Sequence, residues 1–391
     1  MQVSSIVSRV SPKNLAGTLY PVLGDYTHKS SKDKHLKEVT RKIALLDLDA
    51  FFAAVEVLRD PSLQNRPFAV GGGGDRGVVA TANYIARRFG VHSAMSGHRA
   101  RQLCPQLVFV KPNFAEYKAL SYQVRDILAR YTPLVEPASI DEFYLDLTEN
   151  DAFKGSASLT VEAIRREISQ LGITGSAGIS NQKMVAKIAS DDNKPNGQKV
   201  VPPENVFDYL AVLPLKRVPG VGPKSQATLA RYGFTHGHHI QAASTEQLQQ
   251  ILGEKAGWLL FQRCQGIDPR PVTVDRIRKS VGVEQTLPAD IQQLRTVQDY
   301  IQQQLLPQLK KRLKIDHWRE QPIKTQTLKL KFSDFNQTTV SKGHGFVSPS
   351  LYYQLAEEAW QRGAGKHVRL IGISVTLPDP NQQTQLELEL D

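Results

Sequence analysis

Two acidic clusters, Asp47-Leu48-Asp49-Ala50-Phe51-Phe52 and Ser139-Ile140-Asp141-Glu142, each joined to a short apolar run, constrain this chain more than any other feature. The first closes Ile43-Ala44-Leu45-Leu46 and the second opens Phe143-Tyr144-Leu145. Runs of that length and composition read as strands of a central sheet. Carboxylates placed there leave water, at a cost that only a cation or a hydrogen-bond donor relieves. Three convergent carboxylates, Asp47, Asp141 and Glu142, suit two hard, oxygen-seeking divalent ions such as Mg²⁺. Such ions clamp the attacking and leaving oxygens in phosphoryl or nucleotidyl transfer. Taken alone, each cluster reads first as helix caps, turn residues or ion-pair partners, the usual fate of acids in a soluble protein.

At 391 residues the chain exceeds one ordinary core, so several domains are expected. A hydrophobic fraction of 40% with 22% charged residues predicts a folded soluble protein. No apolar run approaches the ~20 residues that span a bilayer, so no membrane association is expected. Cys104 and Cys264 lie far apart and read as apolar fillers, and no leader-like apolar stretch opens the chain; both predict a cytoplasmic protein. Lys and Arg number 49 against 38 Asp and Glu, which points to a polyanionic partner. The excess is concentrated over residues 276–343, with thirteen Lys or Arg against six Asp or Glu.

Residues 1–40 are Ser- and Lys-rich and without sustained periodicity, and read as a flexible extension. From Arg41 to about Gly197 strands and helices alternate, which predicts an α/β or α+β unit. The run Gly71-Gly72-Gly73-Gly74 lacks the Gly-Lys-Ser/Thr of a phosphate loop and reads as a mobile turn. Residues 203–270 look helical around Val218-Pro219-Gly220-Val221-Gly222-Pro223-Lys224. That pattern fits a helix–hairpin–helix turn whose backbone N–H groups at Gly220 and Gly222 face a phosphate while Lys224 adds charge. An ordinary helix connection reads the same way. Farther on, Leu328, Leu330 and Phe332 alternate with Lys329 and Lys331, the pattern of a half-buried strand with a basic outer face or of a lysine-guarded sheet edge.

In this order the segments resemble Y-family translesion DNA polymerases, of the bacterial polymerase IV (DinB) type. The resemblance runs from Arg41 to the C-terminus and is carried by Asp47–Ala53, Thr81-Ala82-Asn83-Tyr84-Ile85-Ala86-Arg87, Ser139–Glu142 and Ala186-Lys187-Ile188-Ala189-Ser190-Asp191. It implies a multidomain α+β right-hand polymerase: a palm over 41–51 and 113–202, fingers over 52–112 and a helix–hairpin–helix thumb over 203–270. A linker over 271–279, an α/β little finger over 280–380 and a C-terminal tail over 381–391 complete it.

The same resemblance implies roles for residues. Asp47, Asp141 and Glu142, with the Leu48 carbonyl, match the ligands of two Mg²⁺ ions. Tyr84, Arg87 and Lys187 match positions that hold the incoming dNTP, assisted by Thr81 and the N–H groups of Ala50 and Phe51. Asp49 is expected to be structural. Phe52 occupies the steric-gate position, where a ring denies room and a hydrogen-bond partner to a 2′-hydroxyl. Primer–template DNA is the expected partner, gripped through Gly220, Gly222, Lys224, Lys329 and Lys331 by a monomeric protein. Gln385, Leu386, Leu388 and Leu390 resemble a sliding-clamp-binding peptide, in which leucines fill an apolar pocket. Phe143 departs from the family's small residue and is expected to add bulk beside the metals. The competing functions are a silent DNA-binding scaffold, which loss of a carboxylate would favour, and a metal nuclease, which would need no triphosphate-holding set.

Overall fold

The computed structural model describes residues 40–380. The expected N-terminal extension up to residue 39 and the clamp-binding tail with Gln385, Leu386, Leu388 and Leu390 lie outside the described residues.

In chain order, β1 (Ile43–Leu48) runs into α1 (Phe51–Arg59); β2 (Phe68–Gly71) and β3 (Val79–Ala82) precede α2 (Tyr84–Arg88) and α3 (Gly97–Leu103). Next come β4 (Val108–Val110), α4 (Phe114–Ala129), β5 (Val135–Pro137), β6 (Glu142–Asp146), α5 (Ala152–Gly155), α6 (Ala157–Ser169), β7 (Gly175–Ser180), α7 (Lys183–Ser190) and β8 (Gln198–Val200). The helical stretch holds α8 (Val206–Ala211), α9 (Pro223–Arg231), α10 (Gly237–Gln241), α11 (Thr245–Leu252) and α12 (Glu254–Cys264). The last part is β9 (Ser280–Ile291), α13 (Leu294–Tyr300), α14 (Leu306–Leu313), β10 (Thr325–Phe332), β11 (Gln337–Gly343), α15 (Pro349–Arg362) and β12 (Val368–Thr376).

β1 is buried at every residue because it lies in the middle of a five-stranded sheet, order β5-β6-β1-β7-β8, and is covered on both faces. Ala44, Leu46 and Leu48 join one core with residues of α1, α4 and α6. The pleat turns Asp47 to the opposite face, where α7 packs. β1 pairs antiparallel with β6 so that Asp47 stands beside Glu142 and Leu46 beside Phe143. The sequence expectation for Phe143 is therefore corrected: the two-residue period places its ring, fully buried, in the helix-covered core and away from the carboxylate face.

A three-stranded sheet, order β3-β2-β4, has its own small core built from Ala69, Val79, Ala86, Ala100 and Cys104. The glycine run that ends β2 is packed rather than mobile at its start. Gly72 is buried, and a Cβ on Gly97 would meet the Gly72 carbonyl oxygen at 1.8 Å. Helices α9 to α12 enclose a core of Leu229, Ile240, Leu248, Leu260 and Cys264. Both cysteines are thus buried and free. A four-stranded antiparallel sheet, order β11-β10-β12-β9, is covered by α13, α14 and α15. Along β10, Leu328, Leu330 and Phe332 are buried while Lys329 and Lys331 are half exposed, the alternation expected of that segment. Among the described residues no helix is long and apolar enough to cross a membrane.

The placement of Phe143 has a measurable consequence. Phe143→Ala should cost about 3–5 kcal/mol of stability by opening a cavity, read from denaturant unfolding, while the folded fraction keeps the wild-type KM for the nucleotide that the resemblance implies. A changed KM with unchanged stability would put the ring back beside the carboxylates.

Candidate active site

The carboxylates of Asp47 and Glu142 are brought side by side by the β1/β6 register and share one cation, the Lys187 ammonium, at 3.1 and 2.6 Å. Lys187 comes from α7, which lies flush on β7: a Cβ at Gly178 would meet the Ala186 carbonyl oxygen at 2.0 Å. Only glycine permits that approach, and the approach carries Lys187 over the sheet to the acids. Asp47 receives a second ammonium, Lys194 Nζ at 2.7 Å, and Lys194 is also paired with Asp191 at 3.0 Å. Asp141 lies beyond the β1 end, where its carbonyl accepts from Leu48 N–H at 2.9 Å, and its carboxylate accepts from the Ser139 hydroxyl at 2.5 Å.

Burial pushes the Glu142 carboxyl above its ordinary pKa despite the pull of Lys187. Burial opposes the Lys187 charge too, yet Asp47 and Glu142 outweigh it and hold the ammonium above its usual value. The same balance, with Asp47 and Asp191 as partners, raises Lys194. These are acids that need positive charge. Among the described residues no group of three or more Asp, Glu, His or Cys side chains is gathered closely enough to hold a metal. The donors nevertheless fit a hard divalent ion, because two lysines already supply the cationic charge that the buried carboxylates require.

A cavity of about 160 Å³ connects the remaining candidates, with Asp47, Leu48, Ala50, Phe51, Phe52, Thr81, Tyr84, Arg87 and Asp141 on its walls. Lys194 also lines it, and Lys187 and Glu142 stand behind Asp47. Ala50 adopts the left-handed conformation (φ 44°, ψ 43°) that turns the chain from β1 into α1. Asp49 holds that turn, as expected of a structural residue. Its carboxylate accepts from Ser176 at 2.7 Å, from Thr174 at 2.8 Å and from the Asn196 backbone N–H at 2.8 Å.

The Tyr84 hydroxyl donates to Asp49 at 3.5 Å, and burial with the neighbouring Asp49 charge pushes it up to about 12. It therefore stays a donor throughout the physiological range. The Arg87 guanidinium lies 4.8 Å from the Tyr84 ring centroid and donates to the Ala82 carbonyl at 3.0 Å. Phe51 is core, whereas the Phe52 ring stacks on Tyr117 at 4.3 Å and borders the cavity.

The proposed duplex contacts are farther away. Gly220 has φ +84° and an Arg263 guanidinium against it; Gly222 begins α9 with open space above it, and Lys224 is exposed. Lys329 is paired with Glu284 at 2.8 Å, and Lys331 sits 4.9 Å over the Phe335 ring. Sequence reasoning missed Lys194, although it lies three residues past the Ala186–Asp191 segment. It also missed Arg76, which reaches from the glycine-rich turn to Asp290 at 2.6 Å and to the Leu287 carbonyl at 3.0 Å.

Comparison with known proteins places these residues in context. Residues 46–191 match the impB/mucB/samB family and 278–388 its C-terminal domain. Residues 216–268 match the thumb domain described for DNA polymerase-iota. A DNA polymerase IV of Shewanella frigidimarina is 45% identical over 360 residues, covering 89% of this chain and 99% of that protein. One of Photorhabdus laumondii is 46% identical over 352 residues, with the same coverage of each. Among solved structures, a Y-family DNA polymerase chimera superposes with a TM-score of 0.77 at 28% identity, over 86% of this chain and 98% of that one.

The raised Tyr84 hydroxyl fixes a sign at high pH. Its folded value near 12 exceeds the unfolded value near 10, so the stability it contributes is complete below pH 10 and is lost as pH climbs toward 12. Relative to Tyr84→Phe, the wild type should lose stability over that window in denaturant titrations. Parallel curves would mean that the hydroxyl is not held in the cavity wall.

Proposed function

The chain belongs to the impB/mucB/samB family, the Y-family DNA polymerases of the polymerase IV type, and from that membership we propose how its residues divide the work. It is a DNA-directed DNA polymerase of the error-prone translesion class, adding nucleotides to a primer 3′-hydroxyl. The observation that carries the residue-level reading is one cavity that joins the Asp47 and Asp141 carboxylates to Phe52, Thr81, Tyr84 and Arg87.

Family membership implies dependence on a divalent metal. We assign two Mg²⁺ ions to Asp47, Asp141, Glu142 and the Leu48 carbonyl, where they would activate the primer hydroxyl and neutralise charge on the α-phosphate and departing pyrophosphate. Tyr84 and Arg87 hold the triphosphate as a hydroxyl donor and a guanidinium fork, with Thr81 and the Ala50 and Phe51 N–H groups beside them. Lys187 is poised to exchange its carboxylates for phosphate oxygen, a point-charge role that an arginine fork would not duplicate. The Phe52 ring, braced by Tyr117, closes the sugar side against a 2′-hydroxyl.

Duplex DNA is gripped without base reading through Gly220, Gly222 and Lys224, and through Lys329 and Lys331, by a monomeric cytoplasmic protein. Gln385, Leu386, Leu388 and Leu390 engage the replication sliding clamp.

Primer extension with Mg²⁺ and dNTPs tests the core of this reading. The wild type should extend a primed template, and Asp141→Ala combined with Glu142→Ala should abolish extension while primer–template binding persists. Primer shortening would instead reveal a nuclease. In the same assay Phe52→Ala should raise ribonucleotide incorporation by at least tenfold, about 1.4 kcal/mol of lost discrimination; unchanged selectivity would remove Phe52 from the gate. Deleting residues 385–391 should abolish clamp stimulation and spare clamp-free synthesis, and undiminished stimulation would disprove the tail assignment.

A further inference from the structure

Helix α7 carries Lys187 to the acids, yet its ends are held largely by the thumb side of the molecule. At its start, Met184 N–H donates to Asp268 at 2.9 Å, and Gln182 donates to the Gly266 carbonyl at 2.8 Å. Its apolar residues Met184, Val185 and Ile188 share a core with Val206, Leu210 and Leu213 around α8. At its end, one Arg217 guanidinium nitrogen donates to the Ile188 carbonyl at 2.8 Å and to Asp192 at 2.6 Å. Tyr209 donates to the other Asp192 oxygen at 2.9 Å.

Asp191 and Asp192 are adjacent and are claimed from different directions. Asp191 is paired with Lys194, which also holds Asp47. Asp192 is claimed by Arg217 and Tyr209. Arg217 stands between Leu215 and Val218, both buried in the thumb core, and two residues before Pro219, whose carbonyl accepts from Arg263 at 2.5 Å. The turn proposed to grip the duplex is therefore joined to Asp47 by Arg217, Asp192, Asp191 and Lys194, every link a covalent bond or a charge-assisted hydrogen bond. A cavity of about 550 Å³ lies between Lys187 and the same turn, and Arg217 bridges to α7 beside it through the Ile188 carbonyl, next in chain to Lys187.

We propose that Asp192, Arg217 and Tyr209 are positioning residues for nucleotidyl transfer. They make the placement of Lys187 and Lys194 against Asp47 depend on how the thumb turn seats on the primer duplex. This deepens the polymerase reading and rests on it. Both lysines already reach Asp47 without DNA, at 3.1 and 2.7 Å; seating of the thumb turn would fix α7 and the turn after it, and with them the positions from which the lysines act. A merely structural joint would hold the domains together and leave the chemical step alone once DNA and nucleotide are saturating.

The test compares the full chain with Asp192→Asn, Arg217→Ala, Arg217→Lys and the Asp192→Asn/Arg217→Ala double variant. The first measurement is single-turnover incorporation at saturating primer–template and dNTP with Mg²⁺. Either single neutralisation should slow it tenfold or more, with primer–template Kd and dNTP affinity changed less than threefold. The double variant should be no slower than the worse single, because the pair acts as a unit. Arg217→Lys, which keeps the ion pair and one donor, should recover part of the rate. The second measurement needs neither metal nor nucleotide: adding primer–template should slow hydrogen exchange in the peptide spanning Lys183–Asp192 of the wild type and not of Arg217→Ala. Rates within twofold, or losses explained wholly by weaker DNA binding, overturn the proposal, as does equal DNA-induced protection in both proteins. Should Arg217→Ala fail to fold, Asp192→Asn and Arg217→Lys carry the same comparison. A wild type that neither binds nor extends primer overturns the polymerase reading, and this inference falls with it.

Discussion

Everything at the catalytic end depends on two carboxylates held next to one another in a region that excludes most water. The β1/β6 register sets Asp47 beside Glu142, and backbone pairing across the rest of both strands keeps them there against their mutual repulsion. Like charges on directly opposed residues destabilise a sheet. That penalty is offset locally by Lys187 between the pair and by Lys194 on Asp47. The elements that deliver these two lysines are therefore as much a part of the site as the acids, which explains why the close approach at Gly178 and the turn after α7 matter so much.

A second constraint comes from Asp49, two residues after Asp47 and chemically identical to it, yet with a different task. Three donors from β7, its preceding loop and the Asn196 backbone saturate its carboxylate and pin the left-handed Ala50. That turn swings α1 under the cavity and puts Phe51 in the core while Phe52 faces outward onto Tyr117. Tyr84 reaches the same carboxylate from α2, so the small three-stranded sheet is registered against the central one through Asp49. The polar contact adds to an apolar one, since Phe68 and Val70 of β2 lie in the same core as Ala44, Leu46 and Phe51. Arg76 extends the same logic to β9, where it meets Asp290 and the Leu287 carbonyl beside the irregular pairing of β9 with β12.

The alternating strand β10, the central strand β1 and the helical stretch around Pro219–Gly222 were legible in the sequence because each follows a local rule of period or turn chemistry. The carboxylates were legible because acids attached to apolar strands need a reason to be there. Phe143 was misjudged since adjacency in sequence was taken for adjacency in space, whereas neighbouring strand residues face opposite sides of the sheet. Lys194 and Arg76 were missed for a different reason: each acts across 147 and 214 positions of chain, and no periodicity reports a long-range ion pair. The pairing of Lys329 with Glu284 was hidden in the same way, and it shows that an alternating basic strand is less positive in place than its sequence suggests.

The lysines also impose an order on charge. An ammonium leaves two half-buried carboxylates only when other positive charge takes its place, since an uncompensated pair would cost far more than the ion pair gains. On the proposed nucleotide assignment, Lys187 would therefore turn toward a triphosphate only as cationic charge arrived at Asp47 and Glu142, and the triphosphate would in turn supply the negative charge that Lys187 then needs. Each exchange leaves the site close to neutral. Arg87 is free of this restriction because among the described residues no carboxylate holds it; its bonds go to the Ala82 carbonyl and the Thr81 hydroxyl, and it lies over Tyr84. In that proposal the two cations differ in when they would act: Arg87 would be available to the first phosphate that enters the cavity, and Lys187 only once the acids have been satisfied by something else.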